Sequence, residues 1–279
     1  MSWLWLEIPA LILLSWLFTA YMTRSFPIIT GKRICLLIAH PDDEAMFFSP
    51  TLRTITRPEL GNQVVILCLS SGNSEGLGHV RKEELAKSAL VLGLRSSEHV
   101  VVLEDEKNFP DSMTSEWDPQ KISQVLMRFF APHLASVALT EEPTANIDAI
   151  FTFDKHGISG HPNHKSLYHG CQTFLRNLMA ARTGWECPVK MYTLTTTNVV
   201  RKYSSVLDCL ITIVAAMFTR KEQGEFPAPV LAVSPPMDVR KAQLAMTTAH
   251  KSQMRWFRWG WIAVSRYMVI NDLQKVKGF

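Results

Sequence analysis

Short runs that are apolar on successive residues recur along the chain: Ile34 to Ala39, Val64 to Leu69, Val100 to Leu103, Ala149 to Phe153 and Lys190 to Thr193. A strand of that kind must be covered on both faces, which a parallel sheet between helical layers provides. Segments of helical character fall between the runs, around 44–56, 79–92, 119–134 and 163–181. In RKEELAKSALVLGL, Leu85, Ala89 and Leu92 share one face and Gly93 supplies a stop. The expected fold is α/β and Rossmann-like, a mostly parallel sheet flanked by helices. Ligands of such folds bind beyond the carboxyl ends of the strands.

The amino terminus differs from the rest. Residues 3–21, WLWLEIPALILLSWLFTAY, are nearly all apolar and close to the roughly 20 residues that cross a bilayer. Glu7 and Pro9 lie near one end, Trp3, Trp5, Trp16 and Tyr21 suit interfacial belts, and Arg24, Lys32 and Arg33 follow. The expectation is an N-terminal transmembrane helix over 1–23, a Pro/Gly-punctuated linker over 24–33 and one domain over 34–279, with the domain facing the cytosol. A cleaved signal peptide is the weaker alternative, because no basic segment precedes the apolar run.

Five widely spaced cysteines with no CxxC pair give no disulfide framework and are read as reduced. A net charge of +4 is too mild and too evenly spread to indicate nucleic acid. Two further segments stay open. VLDCLITIVAAMF at 206–218 is too short to span a membrane and is either a core helix or a helix lying against a bilayer. The tail MRWFRWGWIAVSRYMVIND mixes aromatic residues with arginines, and is either a lipid- or sugar-facing surface or a cover of the core.

The chemistry lies at two strand ends. AHPDDE, Ala39 to Glu44, closes the first run; TFDKHGISGHPNH, Thr152 to His164, follows a later one and holds three of the nine histidines. Helix capping accounts for acids after Pro41 but not for His40 before it. Adjacent acids repel unless a cation sits among them. Two imidazoles and a carboxylate with open positions make a metal site of catalytic type, zinc first, with iron(II) or manganese(II) as substitutes. A spare carboxylate beside it can take a proton from water, and a spare histidine can stabilise an oxyanion or protonate a leaving amine.

AHPDDE paired with the later HPNH, together with SSGNSEGLGHVRKEEL at 70–85 and SQMRWFRWGW, resembles the PIG-L/LmbE-like family of zinc-dependent N-acetylglucosamine deacetylases. The resemblance implies that His40, Asp43 and His164 hold the metal, Asp42 is the general base, and His161 supports the oxyanion and the leaving amine. It places Arg81 near the substrate and gives Glu84 a structural role. Asn163 stands where bacterial relatives usually have aspartate, which leaves open how His161 or His164 is tuned. His156 has no ligand role in the motif, and His79 and His250 read as surface residues. The eukaryotic branch of the family removes acetate from N-acetylglucosaminyl-phosphatidylinositol in GPI-anchor biosynthesis. The implied setting is the cytosolic face of the endoplasmic reticulum membrane, with a glycolipid substrate and membrane lipid as partners. The alternatives are a deacetylase of a soluble GlcNAc conjugate and a noncatalytic membrane-tethered metal-binding scaffold.

Overall fold

The structure, a computed structural model, describes residues 4–219 and 222–278, with only the backbone described for residues 4–6 and 135. Seven strands form one sheet in the order β3-β2-β1-β4-β5-β7-β6. They are β1 Arg33–Ile38, β2 Gln63–Cys68, β3 Val100–Val102, β4 Ala149–Phe153, β5 Lys190–Leu194, β6 Val230–Val233 and β7 Ile270–Lys275. The first five run parallel, with Ile34 opposite both Val64 and Ala149. β7 is antiparallel to β5 on one side and to β6 on the other.

The helices are α1 Leu4–Met22, α2 Asp43–Met46, α3 Ser49–Ile55, α4 Gly78–Leu92, α5 Pro119–Phe130 and α6 Gly157–Gly160. They continue with α7 Pro162–Leu178, α8 Val199–Lys202, α9 Leu207–Phe218, α10 Pro236–Leu244 and α11 Trp256–Val264. Residues 34–38 of β1 are all buried, as are all five of β4, because helices cover both faces. α5 and α7 pack closely where Gly170 faces Ile122; a Cβ at Gly170 would fall 2.3 Å from Ile122 Cγ2. All five cysteines are free and buried.

Three sequence expectations change. The helix expected over 44–56 is two helices, broken at Phe47 and Phe48. The runs forming β6 and β7 are strands that close the sheet at one edge. No helix among the described residues is long and apolar enough to cross a membrane, so the expected transmembrane span is not supported. Trp3 lies outside the described residues, as does the side chain of Trp5.

The physical reason is visible in the packing of α1. Trp16 Nε1 donates to Ser234 O at 2.9 Å, Thr19 is buried, and Trp16 and Ala20 pack on the main core. The helix also lies on α9. Its carboxyl half is therefore part of the domain, while Glu7 and Pro9 interrupt the amino half.

Candidate active site

β1 and β4 are neighbours in the sheet, and the chain leaves β1 towards β2 on one side and meets β4 on the other. Their carboxyl ends flank the crevice at this change of direction, where such sheets bind ligands. The AHPDDE segment and the three-histidine segment thus enter one cleft. Its volume is about 920 Å³, with His40, Asp42, Asp43, His161 and His164 within it and Trp256, Phe257 and Trp261 from α11 at its side.

The ligand atoms of His40, Asp43 and His164 lie within 4.8 Å of one another, and all three residues are buried. Each is held by a second contact. Asp43 Oδ2 accepts from Ala39 N and His40 N, both at 3.0 Å, while Oδ1 sits 3.2 Å from His164 Nε2. His164 Nδ1 donates to Gly157 O at 3.2 Å, and His40 Nε2 donates to Asn163 Oδ1 at 3.0 Å. These partners leave His164 Nε2 and His40 Nδ1 as the ring nitrogens that face Asp43. Two oriented imidazoles and a carboxylate fit a divalent metal such as zinc, because partners of this kind fix ligand rings around such ions.

The protonation of the metal-free site follows from the same contacts. Burial lowers the His164 pKa, but the Asp43 carboxylate beside it holds the imidazole above its ordinary value. Burial would raise Asp43, and the His164 charge and hydrogen bond hold it well below the usual carboxylate range. His40 is lowered, chiefly by burial, with Asp43 opposing. A cation held by Asp43 and His164 would compete with a proton at His164 Nε2.

Asp42 occupies a strained position, with φ of 117° in a non-glycine residue. Its backbone N–H donates to Glu44 Oε2 at 3.1 Å, and its O accepts from Ala45 N and Met46 N. The carboxylate is buried beside the ligands. Oδ2 lies 3.0 Å from Arg258 Nη2 and 3.8 Å from Arg81 Nη2, yet makes no hydrogen bond to the described residues. An oriented, ionic and otherwise unpartnered carboxylate oxygen is suited to accept a proton from water.

His161 is half-buried and caps α7, its Nδ1 accepting from Asn163 N at 3.2 Å. That leaves Nε2 carrying the proton. Burial, with the neighbouring His164 and His40, brings its pKa down to about 4. At neutral pH it is an uncharged donor, able to hydrogen-bond a developing oxyanion.

Arg81 is buried at the cleft, but its guanidinium is already committed: Nη2 donates to Pro41 O at 2.8 Å, and Nη1 to Gly72 O at 2.7 Å. Nη1 also lies 3.3 Å from Asp111 Oδ2. It pins together the loops after β1, β2 and β3. Gly72 is required there, since φ is +68° and a Cβ would fall 2.2 Å from Arg81 Nη1. Glu84 has the expected structural role, accepting from Ser252 N and Ser252 Oγ at 2.8 and 2.6 Å.

Several residues depart from the sequence reading. The Asn163 side chain serves His40, and its Nδ2 donates to Ser115 O, while the Asn163 backbone N–H reaches His161. His250 is fully buried against Glu44, not at the surface, whereas His79 is exposed. His156 is exposed and belongs to neither ligand group found among the described residues. Asp111 was missed: Oδ1 lies 3.3 Å from His40 Nε2, and it groups with His40 and His161. It sits in an irregular loop with no strand-end pattern to mark it. Arg258 was noted only as one arginine of an aromatic tail.

Comparison with known proteins decides the family. The model for GlcNAc-PI de-N-acetylase, PIG-L, matches residues 35–175. The chain belongs to the PIG-L family. It is 46% identical to the N-acetylglucosaminyl-phosphatidylinositol de-N-acetylase of Arthroderma benhamiae, over 90% of this chain and 89% of that protein. The enzyme of that name from Bos taurus is 36% identical, over 87% of this chain and 83% of its own. A probable enzyme of the same name from Schizosaccharomyces pombe is 35% identical, covering 88% and 87%. The PIG-L match contains all three candidate ligands, Asp42, Arg81 and His161, while Arg258 and α11 lie beyond it.

Proposed function

We propose that this chain hydrolyses the N-acetyl group of N-acetylglucosaminyl-phosphatidylinositol, a step of GPI-anchor biosynthesis, with zinc held by His40, Asp43 and His164. The names of its relatives support the substrate. One observation carries the chemistry: two imidazoles, each fixed by its far nitrogen, face one carboxylate, with the Asp42 oxygen, ion-paired to Arg258 but free of hydrogen bonds, beside them. Zinc held there supplies Lewis-acid polarisation of an amide carbonyl and makes water acidic enough to attack.

The side chains then divide the work. Asp42 takes the proton from the attacking water, steadied by Arg258. His161 Nε2–H donates to the oxyanion as the carbonyl carbon becomes tetrahedral. With Nδ1 accepting from Asn163 N and Nε2–H given to the oxyanion, His161 is committed, and the proton that Asp42 has taken passes to the leaving amine. This separates two roles that family resemblance assigns jointly to His161. Arg81 shapes the cleft through Pro41 and Gly72 rather than offering a free guanidinium.

The place of action consistent with this substrate is the endoplasmic reticulum membrane, with the domain on the cytosolic side. Five buried, unpaired cysteines suit that reducing side. The apolar side of the cleft favours a lipid-linked sugar over a soluble GlcNAc conjugate. A carboxylate oxygen beside the ligands that makes no hydrogen bond favours an enzyme over a metal-binding scaffold. The test is acetate release from the glycolipid, before and after chelation and after zinc is restored. Release abolished by chelator and recovered with zinc is expected; release indifferent to chelator would overturn the metal reading.

A further inference from the structure

The surface beside the cleft mouth is apolar where a water-facing surface would be polar. α9 buries Cys209, Thr212, Ile213 and Ala216, and turns Leu210, Ile211, Val214, Met217 and Phe218 outward. Phe218 is 87% exposed and Val214 50%. A surface helix ordinarily carries its charges on the outer face. The one charge in α9, Asp208, is instead buried and paired with Arg201 and Arg266. α11 repeats the pattern, with Trp256 86% and Trp259 56% exposed while Ile262 is buried.

These surfaces join at the site. Tyr203, in the link from α8 to α9, meets Trp261 of α11 edge to face at 5.8 Å, and both line the catalytic cleft. On its other side α9 packs against α1, whose Leu11, Leu14 and Phe18 are also exposed. Exposed apolar residues thus lie on α11 at the cleft, on α9 four residues beyond Tyr203, and on α1 packed against α9, more than isolated exposed residues would make. Residues 199–219 and 254–265 hold four cations and one acid, the buried Asp208, but Arg201 pairs with Asp208, Arg258 with Asp42 and Arg255 with Glu75. The outward faces of α9 and α11 carry no acid, so nothing on them repels an anionic lipid surface.

We propose that α9 and α11 seat on a phospholipid bilayer, so that the cleft opens at the membrane surface and the sugar headgroup enters while the acyl chains stay in lipid. The inference rests on the glycolipid reading above and adds to it which face of the domain meets lipid. The contact is interfacial, of the kind an amphipathic helix makes, and needs no helix that spans the bilayer.

The test uses the whole chain and exploits the buried native cysteines. Cysteine is introduced at an exposed position, Val214→Cys or Trp259→Cys, with Glu59→Cys beyond the amino ends of the strands as control, and each is labelled with a polarity-sensitive fluorophore. Vesicles of phosphatidylcholine and phosphatidylinositol should shift the first two probes to shorter wavelength and leave the third unchanged. In parallel, Val214→Glu and Trp259→Glu should each slow deacetylation of vesicle-embedded substrate by roughly tenfold, equivalent to ~1.4 kcal/mol. A water-soluble short-chain substrate should be turned over as before.

Absence of a vesicle-dependent shift overturns the proposal, as does equal loss on both substrates. A shift that grows with protein concentration without vesicles also overturns it, showing that a second copy covers the face. If the probes shift but neither substrate is deacetylated, the activity reading fails and the lipid-facing surface stands.

Discussion

His250 Nε2 lies 2.6 Å from Glu44 Oε1 across 206 residues of chain, with both side chains fully buried. The other oxygen of Glu44 accepts the backbone N–H of Asp42. The pair therefore braces the strained turn that aims the candidate base. Positions such as Asp42, at positive φ, cost about 1–3 kcal/mol and persist only when the surroundings over-determine them.

Replacing His250 by glutamine should destabilise the metal-free protein by about 3 kcal/mol, the scale of breaking a buried ion pair. Burial lowers the His250 pKa, but Glu44 raises it above the ordinary value. The pair's contribution is then fully present below the unfolded-state pKa of roughly 6.5 and is lost as pH rises through the higher folded-state value. Urea titrations of both proteins from acid to alkaline pH should show the gap between them narrowing. A gap that widens with pH would refute the charged-pair account.

Asp42→Asn should bind metal as well as the parent, because Asn tolerates positive φ and the ligands are untouched. Turnover should fall by a factor of about 100 to 10,000, the range that removal of a general base produces. Metal analysis together with acetate release separates the two quantities. Near-normal release would remove Asp42 from the mechanism.

Asn163→Leu takes away the acceptor that fixes the His40 ring. Loss of such a partner lowers metal affinity roughly 10- to 100-fold. Competition with a chromophoric chelator would measure it, and an unchanged affinity would show that His40 needs no orientation from Asn163.

Metal affinity itself should rise with pH. The metal-free His164 is held above its ordinary pKa against the burial that lowers it, by Asp43, so binding must expel a proton. Calorimetry in buffers of different ionisation enthalpy counts that proton; its absence would mean that His164 is neutral before metal arrives.

Gly72→Ala should cost at least about 1 kcal/mol, from the strained φ of +68° and the contact with Arg81. Arg81 would have to leave Pro41 O or Gly72 O, so turnover should drop along with thermal stability. A variant as stable and as active as the parent would show that the loops after β1 and β2 are not held by Arg81.

The parallel half of this fold was legible because β1, β2 and β4 are covered on both faces and so lack any polar alternation. The candidate ligands stood out for a related reason: both clusters directly follow such strands, and adjacency of β1 and β4 brings them together. What escaped was set by distant packing. Ile270–Lys275, INDLQK, mixes polar and apolar residues because β7 pairs antiparallel near the sheet edge, and it carried no strand signal of its own. Asp111 matters through contacts that span many residues, those with His40 and Arg81 among them. His250 looked peripheral because its partner lies 206 positions away. In α1 the apolar run was real, but hydropathy alone could not tell lipid contact from the packing of Trp16 and Thr19 against the domain.

The place of β7 bears on how the molecule is made. It inserts between β5 and β6, although it follows both in the chain. Synthesis proceeds from the amino end, so the candidate metal ligands, all within the first 164 residues, emerge well before the strand that joins β6 to the sheet. Until residue 275 has cleared the ribosome, β5 presents an open edge and β6 has no neighbour. The nascent chain thus carries its candidate ion-binding residues before it can finish its sheet.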